Sequence, residues 1–138
     1  MTAALAFAGA AIFALLGLVH LVFTLRDFGP RPRYFRPRNA ALLAAMQQTW
    51  TNLVPGGRDY WSAILGFSLS HGIGLLLFAL LVVLAGAHRI VWLQWPLVAV
   101  GVTYSVIAWR CWFRIPLLGA LTGTVLMAAG WVLQGALC

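Results

Sequence analysis

The sequence predicts an all-α fold, an integral membrane four-helix bundle with an amphipathic helix in the long loop between spans one and two. Two observations carry this reading. The 138 residues are 63% hydrophobic and 8% charged, where a water-soluble domain carries about a quarter charged residues, and the mean hydropathy is +0.95. Nine basic and two acidic side chains cannot cover the surface of such a chain in water. Second, the chain contains four apolar runs bounded by charge, each near the roughly 20 residues that cross a hydrocarbon core of about 30 Å. In lipid such runs must be helices, because no alternating barrel pattern is present to pair backbone groups between strands.

The first span is expected from about Ala3 to Leu25, ending at Arg26-Asp27. Its start lacks a basic region and its apolar run exceeds a signal-peptide core, so it reads as a retained span. The second is expected from about Trp61 to Gly86, the third from about Ile90 to Trp109, and the fourth from about Ile115 to Leu137. The whole chain, 1–138, reads as one transmembrane domain. Between the first two spans, Pro30, Pro32 and Pro37 forbid a continuous helix through GPRPRYFRPR. Asn39 is an N-cap candidate for a helix over Ala40 to Leu53, with Leu42, Leu43, Met46, Trp50 and Leu53 on one stripe and Gln47, Gln48, Thr51 and Asn52 largely opposite. Pro55-Gly56-Gly57 then breaks the chain. This helix is expected on the membrane surface or tucked under the bundle. Gly66, Ser70 and Gly74 in span two, and Gly119 and Gly123 in span four, would allow close helix approach.

All nine basic residues are arginine. Arg26, Arg31, Arg33, Arg36, Arg38 and Arg58 fall between spans one and two, and Arg110 and Arg114 between spans three and four; Arg89 alone lies on the other side. This placement follows the positive-inside rule and puts both termini outside, with the two arginine-bearing loops cytoplasmic. The basic excess therefore points to membrane lipids as partners and not to nucleic acid. Arginine without lysine suggests a high-GC bacterial genome, hence the bacterial inner membrane. Trp50, Trp61, Trp92, Trp95, Trp109 and Trp112 cluster near the span ends, as interfacial belts do. The run Arg31, Arg33, Arg36 and Arg38 fits attraction to the membrane surface, or the holding of a phosphate headgroup. Cys111 and Cys138 fall at opposite faces, so neither a disulfide nor a structural zinc is expected.

Polar groups inside lipid carry the functional information, since each costs free energy unless partnered. His20, Thr24 and Asp27 share a face of the first helix at i, i+4 and i+7. On span two, Asp59, Ser62, Gly66 and Ser70 form one stripe, with Ser68 and His71 beside it. Spans three and four add Thr103, Tyr104, Ser105 and Arg110, then Thr122 and Thr124, with Gln94 and Gln134 nearer the outer face. With Phe13, Phe67, Trp109, Trp112 and Phe113 these could line an aromatic cavity that is polar at one end, suited to a lipophilic molecule. The opposing reading is that the hydroxyls bond their own helix or a neighbour. His20 and His71 lie about six and about ten residues from the same face, an offset of roughly 6 Å, a poor match for bis-histidine haem ligation. They fit proton transfer or a structural hydrogen bond. Asp27 and Asp59 are the only carboxyls. Each is either an ion pair with its neighbouring arginine or an acid whose pKa is raised at an apolar mouth.

No acidic cluster for magnesium and diphosphate, phosphate loop, zinc-ligand pair or GxSxG elbow occurs. Diphosphate-ionising transferases, ATP-driven transporters and serine hydrolases are thereby disfavoured, and no cofactor or metal is expected. From Gly56 to Leu84, GGRDYWSAILGFSLSHGIGLLLFALLVVL, the chain resembles an uncharacterised family of small bacterial four-span membrane proteins with a Gly-Arg-x-x-Tyr-Trp before an aromatic, Gly-Phe-rich helix; here one residue separates Arg58 from Tyr60. His20 followed by Thr24 also resembles that family. The resemblance implies a four-helix bundle and no established activity. In general plan the chain is similar to small membrane isomerases and cyclases of sterols and terpenoids.

The leading expectation is a membrane-embedded enzyme or binder of a lipophilic small molecule, such as an isoprenoid, that acts by proton transfer as an isomerase or cyclase. Asp59 or Asp27 would be the acid, and His71 or His20 the base or orienting partner. Thr24, Phe67, Ser68, Tyr104, Trp109, Arg110 and Gln47 would bind substrate, with aromatic walls able to stabilise a cation. The alternatives are a structural or assembly subunit whose polar residues join helices, and a haem or quinone carrier.

Overall fold

The computed structural model describes residues 2–50, 52 and 57–136. In chain order the helices are α1 (Thr2–Asp27), α2 (Ala40–Gln48), α3 (Tyr60–Ala87), α4 (Val91–Cys111) and α5 (Arg114–Ala136). All but α2 are long and apolar enough to cross a membrane. Their ends lie close to those expected from charge and composition; the expected last residue of the fourth span, Leu137, lies outside the described residues.

Local chemistry sets these ends. At the start of α3, Asp59 Oδ1 accepts from the Ser62 N–H at 2.9 Å and Oδ2 from the Ser62 hydroxyl at 2.7 Å, which is N-cap geometry. At its end, Ile90 N–H donates to the Ala85 carbonyl at 2.9 Å, while Arg89 takes φ 52°. This is a Schellman-type close with arginine where glycine is usual. Pro116 falls in the first turn of α5, where its missing N–H costs no intrahelical bond.

The short helix α2 differs from expectation. Asn39 caps it as predicted, its side chain accepting from Ala41 N–H at 2.9 Å, but the helix stops at Gln48 instead of continuing to Leu53. The chain turns extended at Thr49, whose carbonyl accepts from Tyr60 N–H at 2.8 Å, and Trp50 and Asp59 form an antiparallel bridge. A tertiary backbone pair thus outcompetes one further helical turn. Trp50 lies outside the helix, and Thr51, Leu53, Pro55 and Gly56 lie outside the described residues. No residue of α2 is buried.

The chain forms two compact units, Met1–Gly17 with Gly74–Cys138, and Leu18–Ile73; α1 and α3 each contribute to both. The first unit has a core that includes Ala6, Phe13, Phe78, Val82 and Met127. Phe13 meets Phe78 edge-on, with centroids 4.7 Å apart. The α1 and α5 backbones nearly touch there. A methyl group on Gly9 would lie 2.5 Å from the Gly123 carbonyl oxygen, and one on Gly123 would lie 2.9 Å from the Phe13 ring. The small residues of α5 therefore serve close packing, as their spacing suggests. Gly66 and Ser70 do not: a methyl on Gly66 would meet nothing within 4 Å, and both residues are exposed.

Candidate functional site

The second unit, Leu18–Ile73, brings the two intramembrane histidines together. His20 lies seven positions before the end of α1, and His71 eleven positions past the start of α3, yet their rings stand 5.0 Å apart, centroid to centroid, in an edge arrangement. The depth offset expected from residue counting therefore does not keep the two rings apart. The two rings are already in edge contact, whereas an iron held between two imidazoles needs both ring nitrogens pointed at a shared gap of roughly 4 Å. Bis-histidine haem ligation does not fit this arrangement. The His20 imidazole also hydrogen-bonds the backbone of Ser68, and on its other side lies Phe35, with centroids 5.0 Å apart.

Phe35 arrives on a strap, the segment 28–38, and Asp27 holds it there. Asp27 is 1% exposed. Its two oxygens accept from Arg33 N–H at 2.6 Å, from Tyr34 N–H at 3.0 Å each, and from Phe35 N–H at 2.6 Å. Three successive backbone N–H groups thus converge on one carboxyl, the arrangement that elsewhere makes an anion nest. Tyr34 adds two ties to α1: its ring stacks on Phe23 with centroids 4.2 Å apart and planes 5° from parallel, and its hydroxyl accepts from Arg26 Nη1 at 2.9 Å. Where the sequence offered an ion pair with Arg26 or a proton-donating acid, Asp27 is held by three backbone N–H groups. Tyr34 and Phe35 were not singled out in the sequence; their signal is the aromatic pair inside an otherwise Pro/Arg run.

Asp59 also departs from the proton-donor expectation. Hydrogen bonds from the Ser62 hydroxyl and then the Ser62 N–H hold its carboxyl below the ordinary aspartate range, the opposite direction from the desolvated acid that the sequence allowed. Thr24 is fully buried, but its hydroxyl donates to the His20 carbonyl at 2.8 Å. Ser70, Thr103, Ser105 and Thr124 likewise donate to carbonyls three or four residues back. These hydroxyls satisfy themselves on their own helices.

An apolar cleft of about 480 Å³ opens in the same unit, lined by Thr49, Trp50, Asn52, Tyr60, Ala63, Ile64 and Phe67. Its α3 wall is a stripe, Tyr60, Ile64 and Phe67, which His71 continues at i+4 from Phe67. Phe67 is 72% exposed, a large apolar ring that forms an open wall and not core. Of the expected binding residues, Phe67 lines the cleft and Ser68 borders His20. Gln47 is exposed on α2 and does not line the cleft.

The remaining expected residues belong to the first unit. Tyr104 packs near Phe13 and Phe78, at 6.1 and 5.8 Å, and Phe13 is completely buried, so it is core and not a cavity wall. Trp109 is exposed, with the Arg110 guanidinium 5.0 Å above its ring, a cation–π contact within one helix. Among the described residues no group of three or more His, Cys, Asp or Glu could hold a metal ion. The chain matches no family profile, no curated protein and no solved structure.

Proposed function

We propose that the protein binds a lipophilic small molecule in the cleft between Thr49, Trp50 and Asn52 on one side and α3 on the other, with the His20–His71 pair as its proton-handling group. The carrying observation is the cleft: about 480 Å³, walled by Trp50, Tyr60 and Phe67, with Thr49 and Asn52 as its polar groups. That size, and an apolar lining with few polar groups, match small-molecule sites. The α3 stripe leads from the cleft to His71, so a ligand lying along it would present one end to an imidazole already in contact with a second. Imidazole both donates and accepts a proton near neutrality. The bonding of Asp27 and Asp59 moves the acid and base roles onto this pair, in an isomerase-type reaction of a lipid-soluble substrate such as an isoprenoid.

Native mass spectrometry of gently purified protein tests the binding. Wild type is expected to retain a co-purifying lipophile, and Phe67→Ala with Trp50→Ala to lose it while helicity is unchanged. Equal retention by the double variant would remove the cleft from the function. If His20→Leu and His71→Leu leave both fold and turnover of the retained compound unchanged, the protein is a binder or an assembly subunit and not an acid–base enzyme.

A further inference from the structure

We propose that the strap is a preformed binding site for the phosphate of an anionic phospholipid headgroup, a property independent of the cleft and its ligand. Arg31, Arg33, Arg36 and Arg38 all lie on it, and all four are exposed. The chain has two acids with which they could pair, and both are engaged elsewhere. Asp27 is taken by the backbone N–H groups of residues 33–35, and Asp59 by Ser62. Four guanidinium groups therefore stand within eight residues, while the hydrogen bonds given for both carboxylates come from other groups.

Two features separate this from a loose basic tail. The strap directly follows α1, a helix long and apolar enough to cross a membrane, so its arginines fall at headgroup level. The backbone that carries them is also fixed, by four hydrogen bonds to a buried carboxyl, by the Phe23–Tyr34 stack and by the Arg26–Tyr34 bond. Proline at 30, 32 and 37 stiffens the same segment. Guanidinium groups carried on a fixed backbone suit bidentate phosphate recognition, because less of the chain has to be ordered on binding.

The design makes charge and affinity move in opposite directions under one substitution. Asp27→Asn removes a negative charge, so a diffuse electrostatic attraction would hold or strengthen. A preformed site would weaken, because one amide oxygen replaces two carboxylate oxygens and the strap loosens. The measurement is native mass spectrometry of detergent-solubilised protein titrated with phosphatidylglycerol, with phosphatidylcholine, and with inorganic phosphate as competitor. Wild type is expected to hold phosphatidylglycerol at least tenfold more tightly than phosphatidylcholine, and millimolar inorganic phosphate not to displace it. Arg31→Gln, Arg33→Gln, Arg36→Gln and Arg38→Gln together should abolish the preference, and Asp27→Asn should reduce it at least threefold. Should Asp27→Asn fail to fold, Tyr34→Leu removes the Phe23 stack and the Arg26 bond without altering net charge, leaves the backbone bonds to Asp27 in place, and should reduce the preference by a smaller but measurable factor, about twofold. Undiminished preference in whichever of these two variants folds would overturn the proposal in favour of diffuse attraction. Displacement by inorganic phosphate as effective as by the lipid would overturn the lipid source and assign the site to a soluble phosphate compound.

Discussion

Arg89 holds φ 52° at the close of α3, a conformation that costs an L-residue about 1 kcal/mol and glycine almost nothing. Arg89→Gly is therefore expected to raise stability by about 0.5–1 kcal/mol, read as a higher denaturation midpoint in detergent; a lower midpoint would show that the arginine side chain compensates its own strain. Asp59 offers a second test at this scale. Its folded pKa lies below the unfolded value of about 3.9, so the cap's contribution is fully present above that value and lost as pH falls through the folded pKa. Asp59→Ala should cost about 1 kcal/mol near neutrality, whereas Asp59→Asn, an equally good cap, should cost little there and flatten the acid limb of the stability profile. Asp59 also illustrates why the sequence left the role of the carboxyls open. An aspartate before an aromatic helix start reads equally as acid, ion pair or cap, and only the 2.7 and 2.9 Å contacts to Ser62 decide.

At the scale of elements, close packing is confined to particular faces. Gly9→Ala forces a methyl to 2.5 Å from the Gly123 carbonyl and should cost about 1–3 kcal/mol by overpacking. Gly66→Ala meets nothing and should be neutral or stabilising by up to about 1 kcal/mol through helix propensity; thermal unfolding of the two variants side by side checks the contrast. Gly66 and Gly123, the residue Gly9 meets, sit in small-residue patterns of similar appearance, so periodicity alone does not say which face meets a neighbour. The four long helices were legible because lipid leaves an apolar run no other way to satisfy its backbone, and Asn39 was legible because its cap is local. The end of α2 was not, because the competing partners, Asp59 and Tyr60, lie nine and eleven residues beyond Trp50 and Thr49. The histidine contact was underestimated for a related reason: counting residues from helix ends assumes that those ends are level.

For the molecule as a whole, the arginine asymmetry supports an orientation that Cys111 can test. It is exposed at the end of α4, beside Arg110 and Arg114, in the connection that should be cytoplasmic under the positive-inside rule. With Cys138 replaced by serine, a membrane-impermeant maleimide is expected to label Cys111 in inverted membrane vesicles and not in intact spheroplasts; the reverse pattern would invert the topology.

The Asp27 contacts also bear on the order in which the protein is made. They span six to eight residues of chain, a loop that closes in about 10–100 ns once synthesised, while a ribosome adds about 5–20 residues each second. The ties that hold the strap to α1 involve residues 23–35 alone and no residue of α3, so none of them waits for α3 to be made. The histidine pair, by contrast, joins two helices across the whole intervening loop and can form only once both are in place.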